Sequence, residues 1–140
     1  ATRAGARTAF CFGDHVSCRE VHFNAAFPLD SGPGSRLLRL LPKCMPLGKS
    51  LMTGSLPPNI WGLYEVHGNV WEFTRSPWTN SHAENWSGDL QGSGAPSLWA
   101  VTKGGSWFDP AVRARCAARM PRMHNELDVN LGFRLVRELT

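Results

Sequence analysis

The sequence lacks three features that would have placed it at once in a common class. No apolar stretch approaches the roughly 20 residues that a membrane-spanning helix needs, so we expect a soluble chain with no membrane partner. The four cysteines, Cys11, Cys18, Cys44 and Cys116, show no CxxC spacing, which argues against a structural zinc site. The basic residues are mostly arginines scattered along the chain rather than clustered, and we therefore expect no nucleic-acid partner.

What the sequence does contain is typical of a loop-rich globular domain. A length of 140 residues with 42% hydrophobic content is enough for one domain, and we assign residues 1–140 to it. The 14 glycines, 10 prolines and 6 tryptophans, against 19% charged residues, favour loops fixed by aromatic packing. Free thiols are favoured over a local disulfide between Cys11 and Cys18, which the spacing leaves open.

The most informative stretch runs from Leu56 to Phe73 and reads LPPNIWGLYEVHGNVWEF. Prolines and glycines interrupt a run of large aromatic residues, and this pattern predicts a rigid loop rather than a helix. Two acids, Glu65 and Glu72, lie on either side of a turn at residues 67–69. From their spacing alone, solvated loop acids are the favoured interpretation of this pair.

The stretch resembles the signature of the formylglycine-generating enzyme family, also called the sulfatase-modifying-factor family. A second match follows at Lys103–Trp107 (KGGSW), a third at Asn130–Arg134 (NLGFR), and the opening residues 1–14 resemble a further family segment. The resemblance covers nearly the whole chain but only the C-terminal part of the usual family domain. It implies an α+β, loop-rich fold of the formylglycine-generating-enzyme type, C-type-lectin-like, with little regular secondary structure.

The family's long N-terminal portion has no counterpart here, so we expect either that the chain is a processed or truncated piece or that a partner completes its core. That partner is either the missing N-terminal part of the same domain or a separate protein or peptide. A short amphipathic helix predicted at residues 35–41 is a candidate contact surface, because it carries Leu37, Leu38, Leu40 and Leu41. A satellite cluster packed on the body is the plainer interpretation of these leucines.

Three further local structures are predicted. Residues 81–97 are rich in glycine, serine, asparagine and proline and indicate a long surface loop. Residues 100–103 look extended, and the following Gly104 and Gly105 allow another backbone to approach closely. Residues 132–137 read as a half-buried strand with Phe133 and Leu135 on one face.

The resemblance implies a calcium site in the signature loop. Carried onto this chain, the family's ligands are the Glu65 side chain, the Gly68 and Val70 carbonyls and the Glu72 side chain. Hard cations such as calcium prefer oxygen ligands, which this set supplies. Glu65 replaces a shorter Asp or Asn of the family, so the geometry must accommodate a longer side chain.

We expect no copper site. Family enzymes that make formylglycine use a cysteine pair just after the GGS[YW] motif, and the two thiolates bind copper(I). Here Ser106 and Trp107 are followed by FDPAVRAR, without a cysteine, and Cys116 is interpreted as a packing residue. The histidines are scattered (His15, His22, His67, His82 and His124) and do not suggest the three-histidine iron site of the related sulfoxide synthases.

The remaining use of the fold in the family is binding. In variable family members the stretch between GGSW and GFR displays changeable residues, and here that stretch is residues 108–131. The candidate ligand-binding residues are Arg113, Arg115, Arg119, Arg122, His124 and Asn125, with Glu126 and Asp128 as further surface contacts. Arginines suit acidic groups or peptides, although several of these are alternatively explained by pairing with carboxylates and carbonyls of the domain itself.

We therefore predict a sulfatase-modifying-factor-type domain that acts as a non-catalytic ligand- or protein-binding module stabilised by calcium. The alternative is an oxidoreductase acting on thiol or sulfur substrates, of formylglycine-generating or sulfoxide-synthase type. Its catalytic parts would then be completed by a missing segment or by another chain. The absence of the cysteine pair favours the binding module.

Overall fold

A computed structural model describes residues 1–27, 47–80 and 98–137 of the chain. Within these ranges the regular structure consists of four β-strands and a short 3-10 helix at Ala111–Ala114. The strands are β1 (Trp71–Pro77), β2 (Trp99–Lys103), β3 (Met120–Met123) and β4 (Leu131–Gly132), and they form one sheet in the order β3-β2-β1-β4. Strand β2 is antiparallel to both β1 and β3, whereas the short β4 runs parallel to β1.

Strand β2 occupies an interior position in the sheet and carries much of its buried surface. The extended conformation predicted for residues 100–103 is confirmed, and Ala100, Val101 and Thr102 are all buried. The hydroxyl of Thr102 donates to the carbonyl of Met120 in β3 at 2.9 Å, so a fully buried polar group keeps its hydrogen bond. β-Branched side chains at such positions favour the pleated, buried strand that is observed.

A hydrophobic cluster joins the first residues of the chain to the segment after β2. Its buried members are Phe10, Val21, Phe23, Ala111 and Ala114. Backbone hydrogen bonds fix the same contact: the Cys116 amide donates to the Ala9 carbonyl at 2.8 Å, and the Asn24 amide donates to the Asp109 carbonyl at 2.9 Å. The N-terminal residues are therefore part of the core beneath the segment that follows the KGGSW turn.

The loop-rich character of the fold is confirmed. The described part of the chain contains no α-helix, so the α+β label stays a prediction. The assignment of residues 1–140 to a single domain also stays a prediction. The helix predicted at residues 35–41, with its leucines, and the loop predicted at residues 81–97 lie outside the described residues. No helix in the described ranges has the length and apolarity that crossing a membrane requires.

The half-buried strand predicted at residues 132–137 is wrong. Strand β4 ends at Gly132, and Phe133 and Leu135 are 74% and 87% exposed. The reason lies in Arg134, whose guanidinium binds the Glu72 carboxylate and donates to the Tyr64 carbonyl at 2.8 Å. A polar side chain thus faces the body of the protein, and its apolar neighbours are left exposed.

The cysteines differ from one another in redox state. Cys11 and Cys116 are free thiols, as expected, whereas Cys18 is disulfide-bonded, so the free-thiol expectation is wrong at that position. A Cys11–Cys18 disulfide is excluded because Cys11 is free. Cys44 lies outside the described residues.

Candidate functional site

The signature loop is shaped by a buried asparagine. Asn59 Oδ1 accepts hydrogen bonds from the backbone amides of Trp61 (3.0 Å) and Leu63 (3.1 Å), which closes a tight turn. Its Nδ2 donates to the carbonyl of Ala1 at 3.3 Å, so the loop is also tied to the first residue of the chain. The rigid loop predicted from the prolines and glycines therefore has an identifiable anchor.

The turn at Gly68 packs directly against another backbone. Gly68 has a φ of +74°, and a Cβ atom there would lie 2.2 Å from the carbonyl oxygen of His22. Its amide donates to the Gly104 carbonyl at 2.7 Å, while the next amide, that of Asn69, donates to the His22 carbonyl at 2.8 Å. Only glycine fits this position, because any side chain would collide with the segment at residue 22.

The two acids of the loop are both engaged by protein donors. Glu65 is buried, and its carboxylate accepts the backbone amides of Gly54 (3.0 Å) and Leu56 (3.1 Å). Glu72 is held by Arg134 in a two-point ion pair, with N–O distances of 2.9 and 2.6 Å. The hydrogen bonds that Arg134 donates to Glu72, together with the charges of Glu72 and Glu65, raise the pKa of Arg134, although partial burial opposes the shift. One guanidinium therefore lies in the field of both carboxylates.

These contacts leave oxygen lone pairs unused on both carboxylates. A carboxylate has about four lone-pair directions, so two hydrogen bonds do not exhaust Glu65 or Glu72. Two carboxylates beside one guanidinium leave a net negative charge, which suits calcium. Among the described residues no three His, Cys, Asp or Glu side chains come together as a metal site. The predicted set needs only two side chains plus the carbonyls of Gly68 and Val70, and it stays a prediction.

The KGGSW turn is locked by a buried polar network. Asp109 accepts a hydrogen bond from the indole nitrogen of Trp71 at 2.8 Å and another from the hydroxyl of Ser106. Asn130, from the NLGFR segment, donates to the same Ser106 oxygen at 3.1 Å. Gly105 permits the close packing that was expected, since a Cβ there would lie 2.8 Å from the Ala114 backbone. The position just beyond the turn is thus occupied by a structural carboxylate.

A buried histidine links the signature loop to the core. The Nδ1–H of His67 donates to the Ala114 carbonyl at 2.6 Å, and Nε2 accepts the Cys11 amide at 3.1 Å, an arrangement that requires the neutral ring. The rings of Phe10 and Phe12 pack around it. Burial lowers the pKa of His67 below its ordinary value, although the hydrogen bond to Ala114 opposes the shift.

Both free cysteines contact this histidine, Cys116 through its sulfur and Cys11 through its backbone amide. Cys116 Sγ lies 3.9 Å from His67 Nε2, the same nitrogen that accepts the Cys11 amide. Burial raises the pKa of the Cys11 thiol to about 11, with a contribution from Cys116, and burial also raises the pKa of Cys116. Both side chains are therefore thiols rather than thiolates at neutral pH, and thiols are poor nucleophiles and metal ligands.

Three of the predicted ligand-binding residues line one cleft of about 500 Å³. They are Arg113 and Arg115, at and just after the 3-10 helix, and Arg119, which precedes β3. The guanidinium of Arg119 stacks on the ring of Trp78 at 4.6 Å and donates to the Thr79 carbonyl at 2.5 Å. The cleft therefore has one ordered wall and two exposed arginines.

The other predicted ligand-binding residues lie elsewhere. Arg122 pairs with Glu126 and, at 3.1 Å, with Asp128, so these three residues hold each other. These contacts raise the pKa of Arg122 despite its partial burial. His124 and Asn125 are exposed just beyond β3 and do not line the cleft. The interpretation that some arginines pair with carboxylates and carbonyls of the domain itself applies to Arg122, and also to Arg115 and Arg119, which donate to the carbonyls of Val112 and Thr79.

Sequence reasoning missed two residues that organise these sites. Asp109 lies two residues after the KGGSW turn, and a single acid close to this turn was the available signal for a hydrogen-bonding role in the fold. Trp78 gave no comparable signal, because its contact with Arg119 spans two segments distant in sequence. Such a pairing exists only once the sheet has formed.

Comparison with known proteins identifies relatives over the C-terminal part of the chain. A family model described as Sulfatase-modifying factor enzyme 1-like domain matches residues 49–139. The chain is 40% identical over 83 residues to the formylglycine-generating enzyme of Mus musculus, covering 57% of this chain and 22% of that protein. It is 35% identical over 92 residues to the inactive C-alpha-formylglycine-generating enzyme 2 of Bos taurus, covering 62% of this chain and 26% of that protein. The chain thus spans about a quarter of these relatives.

Two solved structures share the fold at low sequence identity. PvdO from Pseudomonas aeruginosa matches with a TM-score of 0.61 at 18% identity, covering 94% of this chain and 46% of that chain. Treponema denticola variable protein 1 matches with a TM-score of 0.60 at 18% identity, covering 94% of this chain and 41% of that chain. Because the family model spans more than half of the chain, including the signature loop, the KGGSW turn and the NLGFR segment, the chain belongs to the family of sulfatase-modifying factor enzyme 1-like domains.

Proposed function

We propose that this domain is a non-catalytic recognition module of the sulfatase-modifying-factor family. The observation that carries the proposal is the hydrogen bonding of the Asp109 carboxylate. The residue stands two positions beyond the KGGSW turn, and its carboxylate is tied to the Trp71 indole and the Ser106 hydroxyl. A half-buried carboxylate that accepts two side-chain hydrogen bonds serves the fold, and no thiol lies between Trp107 and Cys116 to bind copper(I).

Two further observations support a role without catalysis. Relatives that are 35% identical to this chain include a protein named as inactive, the inactive C-alpha-formylglycine-generating enzyme 2 of Bos taurus and of Mus musculus. Cys116 is 6% exposed and has a raised pKa, so it is suited to packing rather than to attack on a substrate. Recognition would instead use the surface between residues 108 and 131, where the exposed arginines lie.

A direct assay tests the absence of catalysis. The protein is incubated with copper(I), oxygen and a peptide carrying the sulfatase-type Cys-x-Pro-x-Arg motif, and the peptide mass is followed. We expect no conversion of the peptide cysteine to formylglycine, for the native chain and for Cys116→Ser alike. Conversion that depends on Cys116 would overturn the proposal.

Calcium binding in the signature loop is part of the same proposal. Glu65 and Glu72 would supply side-chain oxygens, and Gly68 and Val70 would supply carbonyls. A bound calcium ion would neutralise the two acids together with Arg134 and would stabilise the loop against the body of the protein. Its role in this module is structural, and no reaction step depends on it.

The partner of the module is proposed to be a protein surface, in the first instance the remaining part of a longer family domain. Supporting this is a row of exposed apolar residues beyond the edge strand β4, formed by Phe133, Leu135 and Val136. Exposed apolar rows of this kind are commonly covered in a complete assembly. The chain's limited coverage of its relatives is consistent with a larger domain that buries this row.

The second candidate function is an oxidoreductase acting on thiol or sulfur substrates. One observation favours it: Cys11 and Cys116 both approach His67, although they are distant in sequence. A catalytic pair of this kind would need a lowered pKa on one thiol, whereas burial raises the pKa of both. The recognition module is therefore the better-supported function.

A further inference from the structure

We propose that the cleft lined by Arg113, Arg115 and Arg119 binds acidic side chains of a peptide segment. The inference rests on the recognition function proposed above and names the chemical class of its ligand. The cleft volume of about 500 Å³ falls within the range of sites that hold a ligand the size of a few residues. No acidic residue is among its lining residues in the described part of the chain.

The arginines of this cleft differ from two other arginines of the fold because no carboxylate is among the described residues that line the cleft. Arg122 and Arg134 each have a carboxylate partner, in Glu126 and Glu72 respectively. The side chain of Arg113 makes no hydrogen bond or ion pair within the described ranges, and Arg113 is exposed. Three guanidinium groups around one cleft thus create a positive field that attracts anions.

The geometry orients the arginines toward a ligand. Arg115 Nε donates to the Val112 carbonyl at 3.0 Å, which restrains the side chain and leaves its two terminal nitrogens to bind a ligand. Arg119, which lines the same cleft, is held by Trp78 and the Thr79 carbonyl. Preorganised guanidinium groups lose little conformational entropy when they bind a carboxylate, and they bind it with two parallel hydrogen bonds.

The lining favours a peptide over a nucleic acid or a free inorganic anion. Arg119 covers a face of Trp78, so that face is not available to stack a nucleic-acid base. Val112, Ala117 and Ala118 add apolar surface that an inorganic anion would not use. A peptide with alternating acidic and aliphatic residues meets both the positive charge and the apolar surface.

The test is binding of a fluorescein-labelled peptide of alternating glutamate and leucine, followed by fluorescence anisotropy. We expect the native chain to bind this peptide and the matched glutamine–leucine peptide to bind at least about tenfold more weakly, because charge-assisted hydrogen bonds are lost. Arg113→Gln and Arg115→Gln should each weaken binding about tenfold, with the double variant weaker still. Both residues are exposed, so the variants should keep the native circular dichroism spectrum.

The matched control is Arg7→Gln with Arg137→Gln, which removes the same charge from two exposed positions outside the cleft. We expect this control to leave peptide affinity within about twofold, since distant exposed charges are largely screened by salt. Equal weakening in the control and in the cleft variants would overturn the inference, as would equal binding of the glutamine peptide. Stronger binding of inorganic phosphate or of an oligonucleotide with the same dependence on Arg113 and Arg115 would also overturn the assignment to a peptide.

The outcomes separate this inference from the proposed function. Failure of the acidic peptide to bind, with no formylglycine formed in the catalytic assay, rejects the ligand class and leaves the recognition module in place. Formylglycine formation combined with arginine-dependent peptide binding rejects the non-catalytic function and retains the acidic-ligand cleft.

Discussion

The indole nitrogen of Trp71 donates to the carboxylate of Asp109 at 2.8 Å, and this bond joins the first residue of β1 to the segment after β2. Trp71 is fully buried, and Asp109, which is half-buried, accepts the hydrogen bond of its indole N–H. The same carboxylate accepts the Ser106 hydroxyl, so the KGGSW turn depends on it as well. The part of the chain in which the family's catalytic enzymes carry thiols is held here by a hydrogen-bonded carboxylate.

Replacing Asp109 by alanine should destabilise the domain by about 1–3 kcal/mol, because it leaves the buried Trp71 N–H without an acceptor. Asp109→Asn keeps an acceptor oxygen and should cost clearly less. Urea unfolding followed by circular dichroism measures the free energy of unfolding of both variants and of the native chain. Equal stability of Asp109→Ala and the native chain would show that the Trp71 bond contributes nothing to folding.

Chelation should lower the melting temperature if calcium binds the signature loop, because an ion that binds only the folded state stabilises it. In the Glu65→Gln variant the melting temperature should be the same with and without chelator, even if the substitution itself changes that temperature. Glu20→Gln is the control, since Glu20 contacts Ser17 and lies outside the loop. An identical melting curve with calcium and with excess chelator would reject the site.

Exposure of Phe133, Leu135 and Val136 should make the isolated chain self-associate. Leu135→Lys should reduce association without loss of stability, because the side chain is already exposed in the monomer. Analytical ultracentrifugation over a concentration series measures the effect. A native chain that remains monomeric throughout, with no binding of an apolar dye, would contradict an uncovered partner surface.

Gly68→Ala should be more destabilising than Gly54→Ala. Both glycines have positive φ, +74° and +87°, so both substitutions carry a backbone cost of about 1 kcal/mol. Only at Gly68 does the added Cβ meet another backbone atom, the His22 carbonyl oxygen at 2.2 Å. Thermal unfolding of the two variants isolates the cost of that collision, and equal losses would show that the two segments separate easily.

Stability should fall as pH decreases below about 6.5, through the buried neutral His67. Its folded-state pKa is below the ordinary value of 6.5, so the unfolded chain takes up the proton first and acid favours unfolding. His67→Gln removes this titrating group and should make the free energy of unfolding less dependent on pH between pH 7 and pH 5. The control is the exposed His124→Gln, which should keep the native slope. Parallel slopes for the native chain and His67→Gln would contradict the shifted pKa.

The sequence by itself determined the family, the loop-rich character and the glycine turns. These are local properties: prolines and glycines at Leu56–Phe73 and at the KGGSW turn impose backbone shapes that few other residues adopt. The extended segment before Gly104 was also predictable, because β-branched and apolar residues cluster there.

Only the tertiary structure decided how individual side chains are used. The alternating pattern after Gly132 did not reveal which side chains face the body of the protein. Arg134 faces it because it pairs with Glu72, which lies far away in the sequence. The predicted ligand arginines likewise look equivalent in the sequence. In the fold Arg122 receives acidic partners, while Arg113 and Arg115 line an exposed cleft. Long-range contacts of this kind depend on the positions of whole segments, and no local pattern encodes them.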